Sequence, residues 1–454
     1  MRTVLIANRG EIACRIIRSC KALGLRTVAV HSEADGRALH VELADAAYPI
    51  GPAPAKQSYL SIPAILAAAK ASGADAVHPG YGFLAENSGF ARAVMAAGLT
   101  WIGPDPDSID DMGDKERARL LAKAAGVPIL PGSARFAARE LDGVDAAAAA
   151  VGFPLLVKAS AGGGGIGMRR VDGPLDLAKV VEATQTLAEK SFGDGAIYLE
   201  RLVPKARHIE IQVFGFGDGR AVHLYERECS IQRRFQKIVE ETPAPRLDPA
   251  TVAAMAEAAV SLCRLERYRG AGTVEFVVDA ATGAFFFLEM NTRIQVEHPV
   301  TEMTTGLDLV ALQIRLAAGE SLAELTQEGV GRSGHAVECR LYAENPAMNF
   351  LPSPGTLKRF RPPPAEQGLR IDSGVREGDV ITFHYDPMIA KLVAWAESRD
   401  AAIERMRACL ADLVVEGVAT NAAFLGRVLG HPAFRAGDVH TGFVGAHGDA
   451  LLKG

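Results

Sequence analysis

The sequence holds no uninterrupted apolar run approaching the ~20 residues needed to cross a bilayer, no C-x-x-C pair among its six cysteines and no large excess of charge of either sign. Each absence removes a class of function. The lack of a spanning run predicts no membrane partner, and Met1-Arg2-Thr3-Val4-Leu5-Ile6 leads into a strand pattern rather than a signal peptide, which predicts a cytoplasmic protein. Cys14, Cys20, Cys229, Cys263, Cys339 and Cys409 are scattered, mostly within apolar patterns, which argues for buried reduced thiols rather than a zinc site or a disulfide framework. With 49 Lys+Arg against 54 Asp+Glu the formal charge is −5, so no global field draws nucleic acid or anionic lipid, and any anion binding is local. No internal repeat is present.

What is there fills 454 residues, about three times the ~150-residue unit of a single domain, so two or three domains with extensive interfaces are expected. The first hundred residues alternate short apolar runs (Thr3 to Ala7, Thr27 to His31, Ala76 to His78, Thr100 to Ile102) with amphipathic stretches (about Glu11 to Leu23, Ile62 to Lys70 and Ser88 to Ala97). Such alternation predicts a parallel, doubly wound sheet. The turn after the first strand, Asn8-Arg9-Gly10-Glu11-Ile12, is not the G-x-G-x-x-G phosphate turn, so the scaffold is Rossmann-like without being a dinucleotide enzyme.

A helix from Lys115 to Ala125, with Asp114 as N-cap, leads to a unit of roughly 130 to 200 that is too small to be more than a lid or insertion. Strand patterns then follow at His208 to Phe214, Ala221 to Tyr225, Thr273 to Val278 and Ala284 to Glu289, before a helix near Leu307 to Ala318, a proline-rich stretch and a final α+β portion.

Three signals carry chemistry. In Lys158-Ala159-Ser160-Ala161-Gly162-Gly163-Gly164-Gly165-Ile166-Gly167, consecutive glycines let backbone N–H groups surround phosphate oxygens, although without G-K-[ST] this is not a Walker loop and a plain surface loop competes. Glu275 and Glu289 fall on neighbouring strands joined by an Asp279 to Gly283 turn. An acid pair in such apolar strands suits Mg²⁺ or Mn²⁺ holding a nucleotide, against the alternative of exposed strand ends. Finally Glu289, Asn291, Arg293, Gln295 and Glu297 recur at every second position, which projects all five to one side wherever the backbone is extended. A solvated edge strand gives the same alternation, but acid, amide and guanidinium together are what a small oxyanion substrate requires.

These stretches resemble the biotin carboxylases, the ATP-grasp components of biotin-dependent carboxylases, over essentially the whole chain. The matching segments are Ile6 to Ala13, His78-Pro79-Gly80-Tyr81-Gly82-Phe83-Leu84, the glycine loop, Gln232-Arg233-Arg234, Glu289 to Pro299, and Glu338-Cys339-Arg340. The resemblance implies an α/β protein with the ATP-grasp fold: an N-terminal Rossmann-like domain (1–114), a connecting helix (115–129), a mobile lid (130–202), and an ATP-grasp core with a C-terminal α+β domain (203–454). It also implies ATP-driven carboxylation of biotin through carboxyphosphate, with bicarbonate as carbon source.

By the same resemblance Lys115 and Lys158 are phosphate ligands, Gly162, Gly163, Gly164 and Gly165 their cover, and Glu200, Arg201 and Val203 the adenine edge. His208 and Gln232 contact the nucleotide and Lys237 phosphate or bicarbonate; Glu275 and Glu289 hold the metal with Asn291 beside them. Arg293, Gln295 and the Val296 backbone cradle bicarbonate, Glu297 deprotonates it, Arg340 stabilises the enolate-like oxygen of biotin, and Tyr81 and Gly82 touch the biotin ring. A biotin carboxyl carrier protein or domain, a carboxyltransferase subunit and a homodimer or larger complex are the implied partners. No Met-Lys-Met attachment segment occurs, so the carboxyl acceptor is expected on another chain or a further segment. The run His384 to Leu392 is similar to subunits of carboxylases acting on branched or longer acyl groups such as 3-methylcrotonyl-CoA.

The sequence departs from the family at three positions: Ala161 replaces a loop glycine, Ile166 an Arg or Lys, and Phe235 a histidine near the phosphates. Weaker nucleotide binding is the expectation. The competing readings are another ATP-grasp ligase forming an acyl phosphate, and a non-catalytic ATP-binding subunit.

Overall fold

The computed structural model describes residues 1–160, 167–364 and 366–452. Strands β1 (Thr3–Ile6), β2 (Arg26–His31), β3 (Ala46–Pro49), β4 (Ala76–His78) and β5 (Thr100–Trp101) form a parallel sheet in the order β3-β2-β1-β4-β5. All four residues of β1 are buried, as a central strand covered on both faces requires. The chain leaves β1 and β4 side by side, where the strand order reverses. A doubly wound sheet opens its binding crevice at such a point. There Asn8 Nδ2 donates to the carbonyls of Pro79 and Tyr81, both at 2.7 Å, and so ties the two loops together.

The helix expected from Lys115 spans Lys115–Ala124, its N-terminus capped by the Asp114 carboxylate accepting from Arg117 N at 2.9 Å. A further helix, Pro106–Gly113, precedes it. Pro106 occupies its first position, where no amide hydrogen is needed.

Strands β6 (Leu155–Ala159), β7 (Met168–Val171) and β8 (Ile197–Arg201) make a small antiparallel sheet, β7-β6-β8, with its own core of Val144, Val151, Val157, Val181 and Leu199 beneath the helices Val144–Val151 and Leu177–Phe192. The glycines Gly162 to Gly165, with Ala161 and Ile166, lie outside the described residues.

The largest sheet is antiparallel: β9 (Ala206–Phe216), β10 (Ala221–Arg233), β11 (Gln236–Thr242), β12 (Arg269–Asp279), β13 (Phe285–Asn291), β14 (His335–Tyr342), β15 (Leu369–Ser373) and β16 (Met388–Ala396), in the order β13-β12-β9-β10-β11-β14-β16-β15. One hydrophobic cluster, with Ile211, Val213, Val274 and Phe276, packs under the helix Pro249–Leu265. Another, with Val337, Cys339, Leu341 and Leu392, packs under the helix Arg399–Asp412. Emptying such a site, for example Phe276→Ala, costs about 3–5 kcal/mol. All six cysteines are free and buried. No helix among the described residues is long and apolar enough to cross a membrane.

One expectation fails locally. The extended alternation from Glu289 to Glu297 ends with β13 at Asn291, and the chain turns through Thr292 to Val296 before Glu297 opens the helix His298–Thr305. Ile294 draws the segment off the sheet by burying itself among Val4, Ile12, Ile16 and Leu309.

Candidate active site

A cavity of about 460 Å³ lies between the small sheet and the large one. Cross-strand register sets a row of charged residues that starts beneath the cavity and reaches its wall at Glu275 and Glu289. Arg227 on β10 stands opposite Glu210 on β9, Glu210 opposite Glu275 on β12, and Glu275 opposite Glu289 on β13, so one cation and three acids form a row across four strands. Arg227 is fully buried, its Nε bonded to Glu210 Oε1 at 2.5 Å and its Nη atoms to Gln212, Thr273 and Thr301.

Lys237, near the start of β11, is the hub above that row. Its Nζ donates to Glu210 Oε2 at 2.7 Å, Glu275 Oε1 at 2.8 Å and Glu297 Oε1 at 2.7 Å. Burial works against its charge, but the three carboxylates outweigh it and hold the ammonium well above the usual lysine range. Glu275 also accepts from Asn291 Nδ2 (3.0 Å) and Gln295 Nε2 (2.8 Å), and His208 Nε2 lies 2.8 Å from its other oxygen. Despite burial, Lys237 and His208 hold its carboxyl well below the normal range. Glu289 differs. Among the described residues it accepts no hydrogen bond, its side chain is exposed on the cavity wall as the strand-end alternative expected, and partial desolvation there together with the Glu275 charge pushes its pKa up. An acid left over-charged beside a second acid, with an amide next to it, is the donor set of a hard divalent cation.

Glu297 is 2% exposed, its Oε2 accepting from Arg340 Nη2 at 3.0 Å. Burial raises its pKa, yet Lys237, Arg340 and Arg227 together bring it below the ordinary carboxylate value, so it is ionised. Arg293 is oriented from two sides, by Glu86 Oε2 at 2.9 Å and Asn291 Oδ1 at 2.9 Å. On the facing wall Lys158 pairs with Glu200, which Arg119 also contacts at 3.0 Å, and Lys115 lines the same cavity. Gln232 Nε2 meets His208 Nδ1 at 2.8 Å.

A second cavity, about 580 Å³, occupies the crevice of the parallel sheet and is lined by Asn8, Glu11, Tyr81 and Gly82. The Tyr81 hydroxyl donates to Glu11. Gln236, Val296 and Arg340 line both cavities, and the fully buried Lys391 fixes this partition by donating to the Val296 carbonyl at 2.9 Å.

The structure thus gathers Lys115, Lys158, Glu200, His208, Gln232, Lys237, Glu275, Glu289, Asn291, Arg293, Gln295, Val296, Glu297 and Arg340 around the first cavity, and Tyr81 and Gly82 around the second. Arg201 and Val203 do not line either; Arg201 packs its guanidinium against Gly152. Glu210, Arg227 and Glu86 were not singled out by the sequence. For Glu210 a signal exists, the polar alternation His208-Glu210-Gln212 inside an apolar strand. Phe235, 65% exposed, sits at the β10–β11 hairpin tip with φ +68° and lines the first cavity.

Three family models match consecutive parts of the chain: "Biotin carboxylase, N-terminal domain" over residues 1–109, "Carbamoyl-phosphate synthase L chain, ATP binding domain" over 114–325, and "Biotin carboxylase C-terminal domain" over 338–446. With the acid row and the cleft below a small α/β unit, they define an enzyme of the ATP-grasp class. Biotin carboxylase 1 of Bacillus subtilis is 48% identical over 444 residues, 98% of either chain, and this chain belongs to the biotin carboxylase family. The biotin carboxylase domain of Hydrogenobacter thermophilus 2-oxoglutarate carboxylase, solved with MgADP, ADP and bicarbonate, is 44% identical with a TM-score of 0.92, covering 99% of this chain and 98% of that one. The mitochondrial methylcrotonoyl-CoA carboxylase subunit alpha of Oryza sativa subsp. japonica is 50% identical over 99% of this chain, which spans 61% of that protein's length.

Proposed function

We propose that the chain carboxylates biotin held on a biotin carboxyl carrier protein or domain, using ATP, bicarbonate and Mg²⁺ or Mn²⁺, as the first half-reaction of an acyl-CoA carboxylase. The observation that carries this reading is the shared wall: Arg340 and Val296 border both cavities, which puts an acceptor in the second next to a group activated in the first.

In this reading Lys115 and Lys158 hold the ATP phosphates, with Glu200, His208 and Gln232 along the nucleotide; the cover assigned by resemblance to Gly162 to Gly165 falls outside the described residues, and Arg201 and Val203, which line neither cavity, serve the adenine edge only through their backbone. Glu275 and Glu289, with Asn291, would hold the divalent cation, whose chemistry is to neutralise phosphate charge. Arg293, Gln295 and the Val296 backbone bind bicarbonate beside Lys237. Glu297, already ionised, takes the bicarbonate proton; the freed oxygen attacks the γ-phosphorus, the bond to ADP breaks and carboxyphosphate forms. Tyr81 and Gly82 receive the biotin ring. Carboxyphosphate then breaks at its C–O bond to CO₂ and phosphate, the phosphate takes the ring-nitrogen proton, Arg340 stabilises the enolate oxygen left behind, and the nitrogen bonds to the CO₂ carbon.

Residues 1–114 act as the Rossmann-like domain, 115–129 as the connection, 130–202 as a lid that excludes water from carboxyphosphate, and 203–454 as the ATP-grasp core with the C-terminal domain. The partners are a carrier and a carboxyltransferase, in a homodimer or larger complex, with methylcrotonoyl-CoA as the acyl substrate favoured by the relatives. Six free, buried cysteines favour a reducing compartment, the cytoplasm. The test is isotopic. Labelled bicarbonate with ATP, Mg²⁺ and free biotin should yield labelled carboxybiotin; an acyl phosphate trapped in place of carboxybiotin would refute the assignment.

A further inference from the structure

Behind Arg340 the large sheet holds two acids for which the reaction above has no use. Glu240 on β11 and Glu338 on β14 pair directly across the ladder, both have no exposed surface, and neither lines either of the two cavities described above. Cross-strand partners in this register bring their Cβ atoms to about 4.5–5.5 Å, so the two side chains rise together from one face. Glu240 Oε1 accepts from Arg340 Nε at 2.6 Å. Glu240 Oε2 and both oxygens of Glu338 have no hydrogen-bond partner.

The charges around them do not supply the deficit. On β14 Arg340 divides itself between Glu240 and Glu297. On β16 the residue opposite Glu338 is Val393, and Lys391, two residues away, is committed to the Val296 carbonyl and to Glu11 at 3.1 Å. From the helix His298–Thr305, which packs on this face, come Glu297 at its N-cap, a further negative charge, and His298, which burial and the nearby Lys391 keep neutral. Two full negative charges with three orphaned oxygens in a dry interior are not sustained; such groups take up a proton instead.

We propose that Glu240 and Glu338 hold one proton between them, and that this singly charged pair positions Arg340, leaving its second edge free for Glu297 and the biotin-side cavity. Burial is the leading cause in both acids: it pushes Glu240 up to about 7 and Glu338 well above the carboxylate range. The proton belongs to the pair rather than to either residue. When it leaves, a second negative charge draws the guanidinium back onto the sheet and away from the acceptor. The role of the pair rests on the biotin-carboxylating reading, whereas the shared proton does not.

Infrared spectra of the resting, full-length protein at about pH 8, where ordinary carboxyls are ionised, test the proton. The wild type should show a protonated-carboxyl stretch that is lost in Glu338→Gln and shifts in frequency in Glu240→Gln, where Glu338 keeps the proton without its partner, each variant being checked for folding by circular dichroism. Identical bands in the wild type and the folded variants would overturn the shared proton, whether or not biotin is turned over. The positioning role is read in the pH profile. In Glu338→Gln the alkaline fall in kcat/KM for biotin should move up by about one pH unit or more, about tenfold at a fixed pH on that limb, with KM for ATP unmoved. An unshifted biotin limb, or an equal shift in the ATP term, would overturn the positioning role.

Discussion

Lys237 and Glu297 meet at 2.7 Å although they enter the site from different elements, the lysine from β11 and the glutamate from the N-cap of the helix His298–Thr305. The contact ties the acid row of the large sheet to the segment that borders both cavities. It also keeps Glu297 ionised, so the resting protein already holds the acceptor that the proposed reaction needs for the bicarbonate proton.

Removing that acceptor should leave binding intact. Glu297→Gln keeps the size of the side chain and its bond to Arg340, so ATP affinity should stay near wild type while bicarbonate-dependent turnover falls by about 10²–10⁴. Initial-rate kinetics with nucleotide affinity measured in parallel separate the two effects.

Lys237→Met leaves Glu210, Glu275 and Glu297 buried without their common cation. A loss of about 3–5 kcal/mol is expected, the scale for removing one partner of a buried ion pair. A divalent cation bound at Glu275 and Glu289 would offset part of it. Mg²⁺ with ATP should therefore raise the melting temperature of the variant more than that of the wild type; equal shifts in the two would count against a metal position beside this row.

Stability should fall on mild acidification. His40 and His78 are both fully buried, and burial lowers their pKa values from the usual 6.5 to about 4 and about 3. His78 Nδ1 accepts from Gly80 N at 3.0 Å, a bond that a second ring proton destroys. The unfolded chain binds these protons first, so the stabilisation is complete above about pH 6.5 and is lost as the pH falls toward 4, on the order of 3 kcal/mol for each histidine. Urea denaturation at pH 7 and pH 5 measures it, and His40→Gln should flatten the difference.

Phe235 projects a ring at a hairpin position with φ +68°, which histidine, the residue implied there by the family resemblance, adopts more readily than a bulky apolar residue. Phe235→His restores one polar contact to the phosphate end of the cavity. A charge-assisted hydrogen bond contributes ~1.5–3 kcal/mol, so KM for ATP should fall by about tenfold or more. An unchanged KM would remove Phe235 as a cause of weak nucleotide binding.

The parts of the site that could be read in advance are those where chemistry and local pattern coincide. Glu275 and Glu289 flank a recognisable turn, and the run from Glu289 to Pro299 carries a family signature. The period-two argument for that run held only to Asn291. Beyond it the same polar groups converge because Ile294 anchors a turn in the core, a tertiary effect that strict alternation does not encode. Arg227 and Glu210 escaped notice because their pairing depends on the register of two long strands whose ladder is shifted between His223 and Glu226. Glu240 and Glu338 escaped for a related reason: a buried acid on a strand gains meaning only when the facing residue is known.

The most direct measurement of the central claim is ATP hydrolysis by the purified chain with Mg²⁺, with and without bicarbonate and with and without free biotin. Hydrolysis that requires bicarbonate, rises with biotin and is lost in Glu297→Ala and Arg340→Ala is the predicted result. Hydrolysis indifferent to both small molecules, or nucleotide binding with no hydrolysis at all, would contradict the account.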